Sequence, residues 1–191
     1  MSILKALIIH PEDESTTFLC SIYAQIPENQ RTLITGGISK QEVADLIQSH
    51  QQIILCGHGS PDGLFAISKF TNTSYTDFII DSDMVALLKQ NKKVIAIWCY
   101  AANFIKKHQI TNAYFSEMFI SEMIEAIIFE PTPVEEFQIT ESNDCFAKEL
   151  AGNLHLSPEE IHNNLQQGLY SQMATKNPIA KYNMNRLGFS L

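Results

Sequence analysis

The chain reads as a doubly wound α/β protein, a mostly parallel sheet flanked by helices. Three features lead there. Residues 3–9, 51–57 and 93–98 are short, largely apolar runs rich in β-branched Ile, which suits strands covered on both faces of a parallel sheet. Helical spacing of apolar residues marks the segments between the first runs. The resulting order, β-α-β-α-β over the first 57 residues, is that of an open α/β sheet.

Strand one covers 3–9. Phe18, Ile22 and Ile26 then fall on one helical stripe over 14–26, closed by Pro27. Arg31 to Thr35 is a second short strand, stopped by Gly36-Gly37. Ser39 with Glu42 three residues on forms a capping box ahead of Val43, Leu46 and Ile47, and that helix ends near Ser49. Strand three is 51–57. Beyond it, Ser60-Pro61-Asp62-Gly63 signals a turn, and 63–67 pairs with 76–80 in a small hairpin. Asp81 or Ser82 caps a helix carrying Met84, Val85, Leu87 and Leu88, and strand four follows at 93–98. Tyr100 to His108 is helical, 114–120 is a fifth strand, and Ser121 caps a helix through Glu125 and Phe129 that Pro131 and Pro133 stop. Two more helices occupy about 134–152 and 158–172, the latter with Pro158 at its first position after Ser157. The tail from Asn177 is a last strand or an ordered arm. No repeat or linker divides the chain, so 1–191 is expected to be one domain, with the helical region 134–191 packed on the sheet.

A chain of 191 residues can bury about 70% of its unfolded surface. The net charge of −8 and the presence of only two arginines, Arg31 and Arg186, argue against a surface that tracks nucleic-acid phosphates. Cys20, Cys56, Cys99 and Cys145 are scattered, with no Cys-x-x-Cys pair, so neither a disulfide framework nor a zinc ribbon is expected. The apolar run at 3–9 is too short to span a membrane and lacks the signal-peptide pattern. These features point to a cytoplasmic protein with no membrane partner.

Chemistry enters where two strands end. Gln52 to Gly57 runs into His58-Gly59-Ser60, and Lys93 to Trp98 runs into Cys99. In open α/β sheets, functional groups gather in the crevice outside the carboxyl ends of the strands. A histidine and a cysteine there form the pair that a thiol nucleophile with an imidazole base requires. A helix N-terminus or an imidazolium near Cys99 would lower its thiol pKa from about 8.5. The amides of Gly59 and Cys99 are candidates to receive an oxyanion. Cys56, inside its strand, reads as a packing residue, and His10 as a strand-end residue.

A hydrophobic strand ending in His58-Gly59 and another ending in Cys99 resemble the caspase-like superfamily of cysteine peptidases, which includes caspases, clostripain, gingipains and the CHAT domains. The resemblance spans about residues 3–130. It implies strand order 2-1-3-4-5, with strands three and four side by side. It also implies His58 as general base and acid, Cys99 as nucleophile, and Gly59 as oxyanion donor. The caspase signature itself is absent: the chain reads Ile97-Trp98-Cys99-Tyr100-Ala101, with tryptophan where many members carry a small or acidic residue. Both arginines are far in sequence from the motifs, so an arginine-lined aspartate pocket is not expected. The resemblance instead suggests cleavage after a basic residue, with Asp62, Asp81, Asp83 and Glu117 as candidate pocket acids.

The function expected is thus a Cys–His endopeptidase acting on a protein or peptide without a metal cofactor. The alternatives are a catalytically silent interaction module of the same fold, or a thiol acyl-transfer enzyme on a non-peptide substrate. Cys56, His58, Cys99 and His108 lack the usual spacing of zinc ligands. Gly36-Gly37 lacks the context of a phosphate-binding loop.

Overall fold

The computed structural model describes residues 5–130 and 132–191. Ile3 and Leu4, the expected start of strand one, and Pro131, an expected helix stop, lie outside the described residues. The central sheet has six strands: β1 (Ala6–Ile9), β2 (Arg31–Ile34), β3 (Gln52–Cys56), β7 (Lys93–Ile97), β8 (Ala113–Ser116) and β9 (Leu187–Ser190). They lie in the order β2-β1-β3-β7-β8-β9, all parallel except β9, which runs antiparallel to β8. A second small sheet joins β4 (Gly59–Ser60), β5 (Gly63–Phe65) and β6 (Phe78–Ile80), all antiparallel. It is the expected hairpin, enlarged by one strand directly after His58.

Both faces of the central sheet are covered, and side chains alternate between two cores. Leu7, Ile9, Ile53, Leu55, Val94 and Ala96 point to one core, completed by Val43 and Ile47 of α2 (Lys40–Ser49), Leu88 of α3 (Val85–Leu88) and Phe104 of α4 (Ala101–Lys107). Ala6, Ile8, Ile54, Cys56, Ile95 and Ile97 point to the other. There they meet Ile22 of α1 (Cys20–Tyr23), Phe146 and Leu150 of α6 (Glu136–Asn153), Leu165 of α7 (Pro158–Gln167) and Tyr170 of α8 (Leu169–Ala174). The continuous apolar runs of the strands follow from this two-sided burial.

Several elements differ from expectation for local reasons. The helix expected over 14–26 is a tight 3₁₀ turn over Glu14–Leu19 followed by the single turn of α1. Asp13 starts it by accepting from the Thr16 amide at 3.2 Å, and Ser15, Thr16 and Thr17 all turn their hydroxyls back to Asp13, a local bonding habit that weakens regular helix. The fifth strand stops at Ser116 rather than 120: Glu117 N still bonds to Arg186 O of the last strand at 2.7 Å, but the Glu117 carbonyl accepts the Tyr100 amide at 3.1 Å and the chain leaves the sheet. Glu122, not Ser121, caps α5 (Met123–Phe129). The helix expected over 158–172 breaks at Gly168: the Glu149 carboxylate fills the place a Cβ would take there and accepts the Tyr170 amide. The tail supplies both a helix, α9 (Pro178–Met184), and the sixth strand, β9. The Ser39–Glu42 capping box forms as expected, with Ser39 N to Glu42 Oε2 at 2.7 Å. Among the described residues no helix is long and apolar enough to cross a membrane.

Candidate active site

The strands β3 and β7 pair in parallel with Cys56 opposite Ile97. Two residues further along each strand stand His58 and Cys99. Adjacent strands lie about 4.8 Å apart, so equal overrun from a matched pair brings both residues to one edge of the sheet. There the ring turns to Ser15 and Asp13 and the sulfur to Phe119 O and Glu125, with no hydrogen bond between them. The pairing continues past the ladder, since Gly57 N donates to Ile97 O at 3.2 Å. Gly57 takes a φ of +137°, a conformation L side chains rarely adopt, and turns the chain toward His58. His58 and Cys99 line a single small crevice, together with Thr16, Phe18, Trp98, Phe119 and Ser121.

The loop after β1 reaches the histidine. Because β1 neighbours β3, residues just past β1 lie beside residues just past β3. His58 Nε2 is 2.8 Å from Ser15 Oγ and 3.0 Å from Asp13 Oδ2. Ser15 Oγ itself donates to Asp13 Oδ1 at 3.0 Å. With that proton committed, the network assigns a proton to Nε2, donated to both oxygens. Burial works against the Asp13 carboxylate, but His58 and the donors of Ser15 and Thr16 outweigh it and hold the carboxyl below its ordinary range. Serine, histidine and aspartate meet here, yet not as a serine nucleophile: Ser15 and Asp13 share the same ring nitrogen, whereas a serine triad needs them on opposite ones. Sequence reading missed Asp13 and Ser15. The available signal was the adjacency of the two strand ends, with Asp13 and Thr16 spaced as cap and third residue.

Cys99 sits in the turn between β7 and α4. Tyr100, at φ +69°, makes the reversal in the left-handed region, at a cost of about 1–2 kcal/mol for a residue other than glycine. Trp98 O accepts the Ala101 amide at 3.1 Å, closing the turn. Among the described residues no acceptor lies within reach of the Cys99 amide. The sulfur faces the segment between β8 and α5, 3.7 Å from Phe119 O and 3.8 Å from Glu125 Oε1. Burial, and then the Glu125 and Glu122 carboxylates, push the Cys99 thiol up to about 12. This corrects the expectation of a lowered pKa: α4 is only a seven-residue helix, and the charges nearest the sulfur are negative. Cys56 is wholly buried in β3 and its thiol is likewise raised by burial, as befits a packing residue.

Gly59 lies opposite Leu64 in the small sheet and does not line the crevice. Its need to be glycine has another cause, for a Cβ there would sit 2.1 Å from Trp98 Cδ1. Trp98 packs into the core against Phe104, donates Nε1–H to Ser60 O at 3.1 Å, and forms part of the crevice lining. The four candidate pocket acids are elsewhere. Asp62 pairs with Lys107, Asp81 and Asp83 with Lys40, and Glu117 with Lys106; none lines the crevice. Arg186, remote in sequence, comes close: it shares a neighbouring pocket with Tyr100, Lys106 and Glu117. The expected distance of both arginines from the motifs is therefore corrected for this one.

Cys56, His58, Cys99 and His108 form no metal-ligating group among the described residues; the one group there is His10, Glu12 and Cys20. No protein-family model matches the chain, and no curated protein matches it.

Proposed function

We propose that the chain is a caspase-like cysteine endopeptidase whose dyad, His58 and Cys99, rests in a closed arrangement. The observation carrying this reading is the matched overrun of β3 and β7, which delivers imidazole and thiol into one crevice at the carboxyl ends of neighbouring strands. The strand order and the antiparallel β9 are compatible with it.

In the proposed reaction Cys99 first rotates away from Phe119 O and Glu125. His58 Nδ1 then takes the thiol proton as sulfur attacks the peptide carbonyl. Asp13 stabilises the imidazolium and, with Ser15, fixes the ring through Nε2. The free Cys99 amide faces the developing oxyanion, a donor of the kind typically worth about 3–4 kcal/mol in the transition state. His58 returns the proton to the leaving amine, and water releases the acyl-enzyme. Because Asp62, Asp81, Asp83 and Glu117 do not line the crevice, the reading assigns none of them to a pocket for a basic residue.

A thiol-directed covalent probe tests it. With a peptide-like electrophile, wild type and Cys56→Ala are expected to take up one label more than Cys99→Ala, the partly exposed Cys20 and Cys145 giving a background common to all three. Equal labelling of all three proteins overturns the assignment. The engagement of the sulfur by Phe119 O and Glu125 favours a second reading, a silent interaction module of the same architecture. In that case Cys99 stays unreactive and no peptide is cleaved even after the carboxylate at 125 is removed.

A further inference from the structure

We propose that His10, Glu12 and Cys20 form a zinc-binding site, separate from the crevice and independent of the hydrolase reading. Their ligand atoms all lie within 4.8 Å of one another. His10 follows β1 and is wholly buried, and its amide extends the β1–β2 ladder by donating to Ile34 O at 2.9 Å. Its ring therefore projects from a rigid position. Nε2 is 3.3 Å from Thr16 Oγ1, and Nδ1 faces Tyr23 Oη at 2.8 Å and Cys20 Sγ at 3.9 Å. Tyr23 Oη also donates to Cys20 Sγ at 3.2 Å. One buried imidazole thus meets a thiol, a phenol and, from two residues on, a carboxylate.

The donor types choose the metal. Magnesium and calcium take oxygen ligands, whereas zinc accepts nitrogen, sulfur and oxygen together in a tetrahedral site. Zinc–ligand bonds of about 2.0–2.3 Å put neighbouring donors roughly 3.3–3.8 Å apart. Closing from the present spacing takes a shift of about 1 Å, which the partly exposed Glu12 and Cys20 side chains supply by rotamer change. His10 stays fixed, ligating through Nδ1 while Nε2–H is held by Thr16, the outer partner such a histidine normally has. The fourth position falls to Tyr23 Oη or a water. Glu12 precedes Asp13, so the bound ion pins the loop that carries the partners of His58.

The test uses the full chain, stripped of metal and titrated with zinc by calorimetry, then with cobalt to read the thiolate-to-cobalt absorption band. Wild type is expected to take one equivalent in the low-micromolar range or tighter and to show the band. Cys20→Ser is expected to lose the band and weaken zinc by about tenfold or more, while Cys99→Ala keeps both. Glu12→Gln, a partly exposed change, is expected to weaken binding too, and it decides the matter if Cys20→Ser fails to fold. Absence of binding in wild type, a band that survives Cys20→Ser, full affinity in Glu12→Gln, or a band lost in Cys99→Ala each overturns the site.

Discussion

The sulfur of Cys99 meets two oxygens, the Phe119 carbonyl at 3.7 Å and Glu125 Oε1 at 3.8 Å, and burial adds to the preference for the protonated form. A thiol pushed up to about 12 is ionised to only about one part in 10⁵ at pH 7. Because thiolate is the nucleophile, alkylation of Cys99 is expected to climb about tenfold per pH unit from neutrality upward, without levelling off below about pH 10. Glu125→Gln isolates the carboxylate. Glutamine still accepts from the Ser121 and Glu122 amides, so the cap of α5 survives, while the like charge is gone. Labelling at pH 7 is expected to rise about tenfold, equivalent to one pKa unit; a rate equal to wild type shows that the carboxylate does not restrain the sulfur. His58 and Cys99 were legible in the sequence because each ends an apolar run. Glu125 was not, since only the bend after Ser116 brings a residue 26 positions away to the thiol.

At the scale of elements, the loop from His10 into the 3₁₀ turn does more than join β1 to α1. Asp13 has two jobs there: Oδ1 caps the turn through Thr16 N at 3.2 Å, and Oδ2 meets His58 Nε2 at 3.0 Å. An asparagine side chain in its place retains a cap but no charge. Asp13→Asn is therefore expected to melt within a few degrees of wild type, whereas Asp13→Ala loses about 1 kcal/mol of stability. Both are expected to slow capture of Cys99 by a substrate-like probe by about 10²-fold, in the range of general-base effects. An Asp13→Asn protein that reacts at the wild-type rate removes Asp13 from the proposed mechanism. Periodicity located these elements but not their interruptions. Phe18, Ile22 and Ile26 do fall on one stripe, yet Asp13 and three hydroxyl residues tighten the start into 3₁₀ geometry. Gly168 breaks the later helix because Glu149, from another element, occupies its side-chain space.

Across the whole molecule, the last strand holds the wall over the sulfur. The alternation of helix and strand made the parallel part of the sheet readable, but nothing local marks Leu187–Ser190 as the partner of β8. That pairing depends on Gly188, where a Cβ would lie 2.8 Å from Phe115. Arg186 O accepts the Glu117 amide at 2.7 Å, and Ser190 Oγ donates to Ile110 O at 2.7 Å. Asn183, just before the strand, grips Ile120 by both its amide and its carbonyl, at 2.7 and 2.8 Å. Ile120 is the neighbour of Phe119, whose carbonyl takes the thiol. Deleting residues 186–191 removes the ladder, its flanking bonds and the buried Leu187. At about 1 kcal/mol per hydrogen bond, several kcal/mol are lost, and for a chain of this size that lowers the melting midpoint by about 10 °C or more. Well below that midpoint, the segment at 117–122 loses one of its anchors, the bond from Glu117 N to Arg186 O, so Cys99 is expected to label faster than in wild type. A truncated protein that melts lower yet labels Cys99 at the wild-type rate shows that β9 stabilises the sheet without restraining the site.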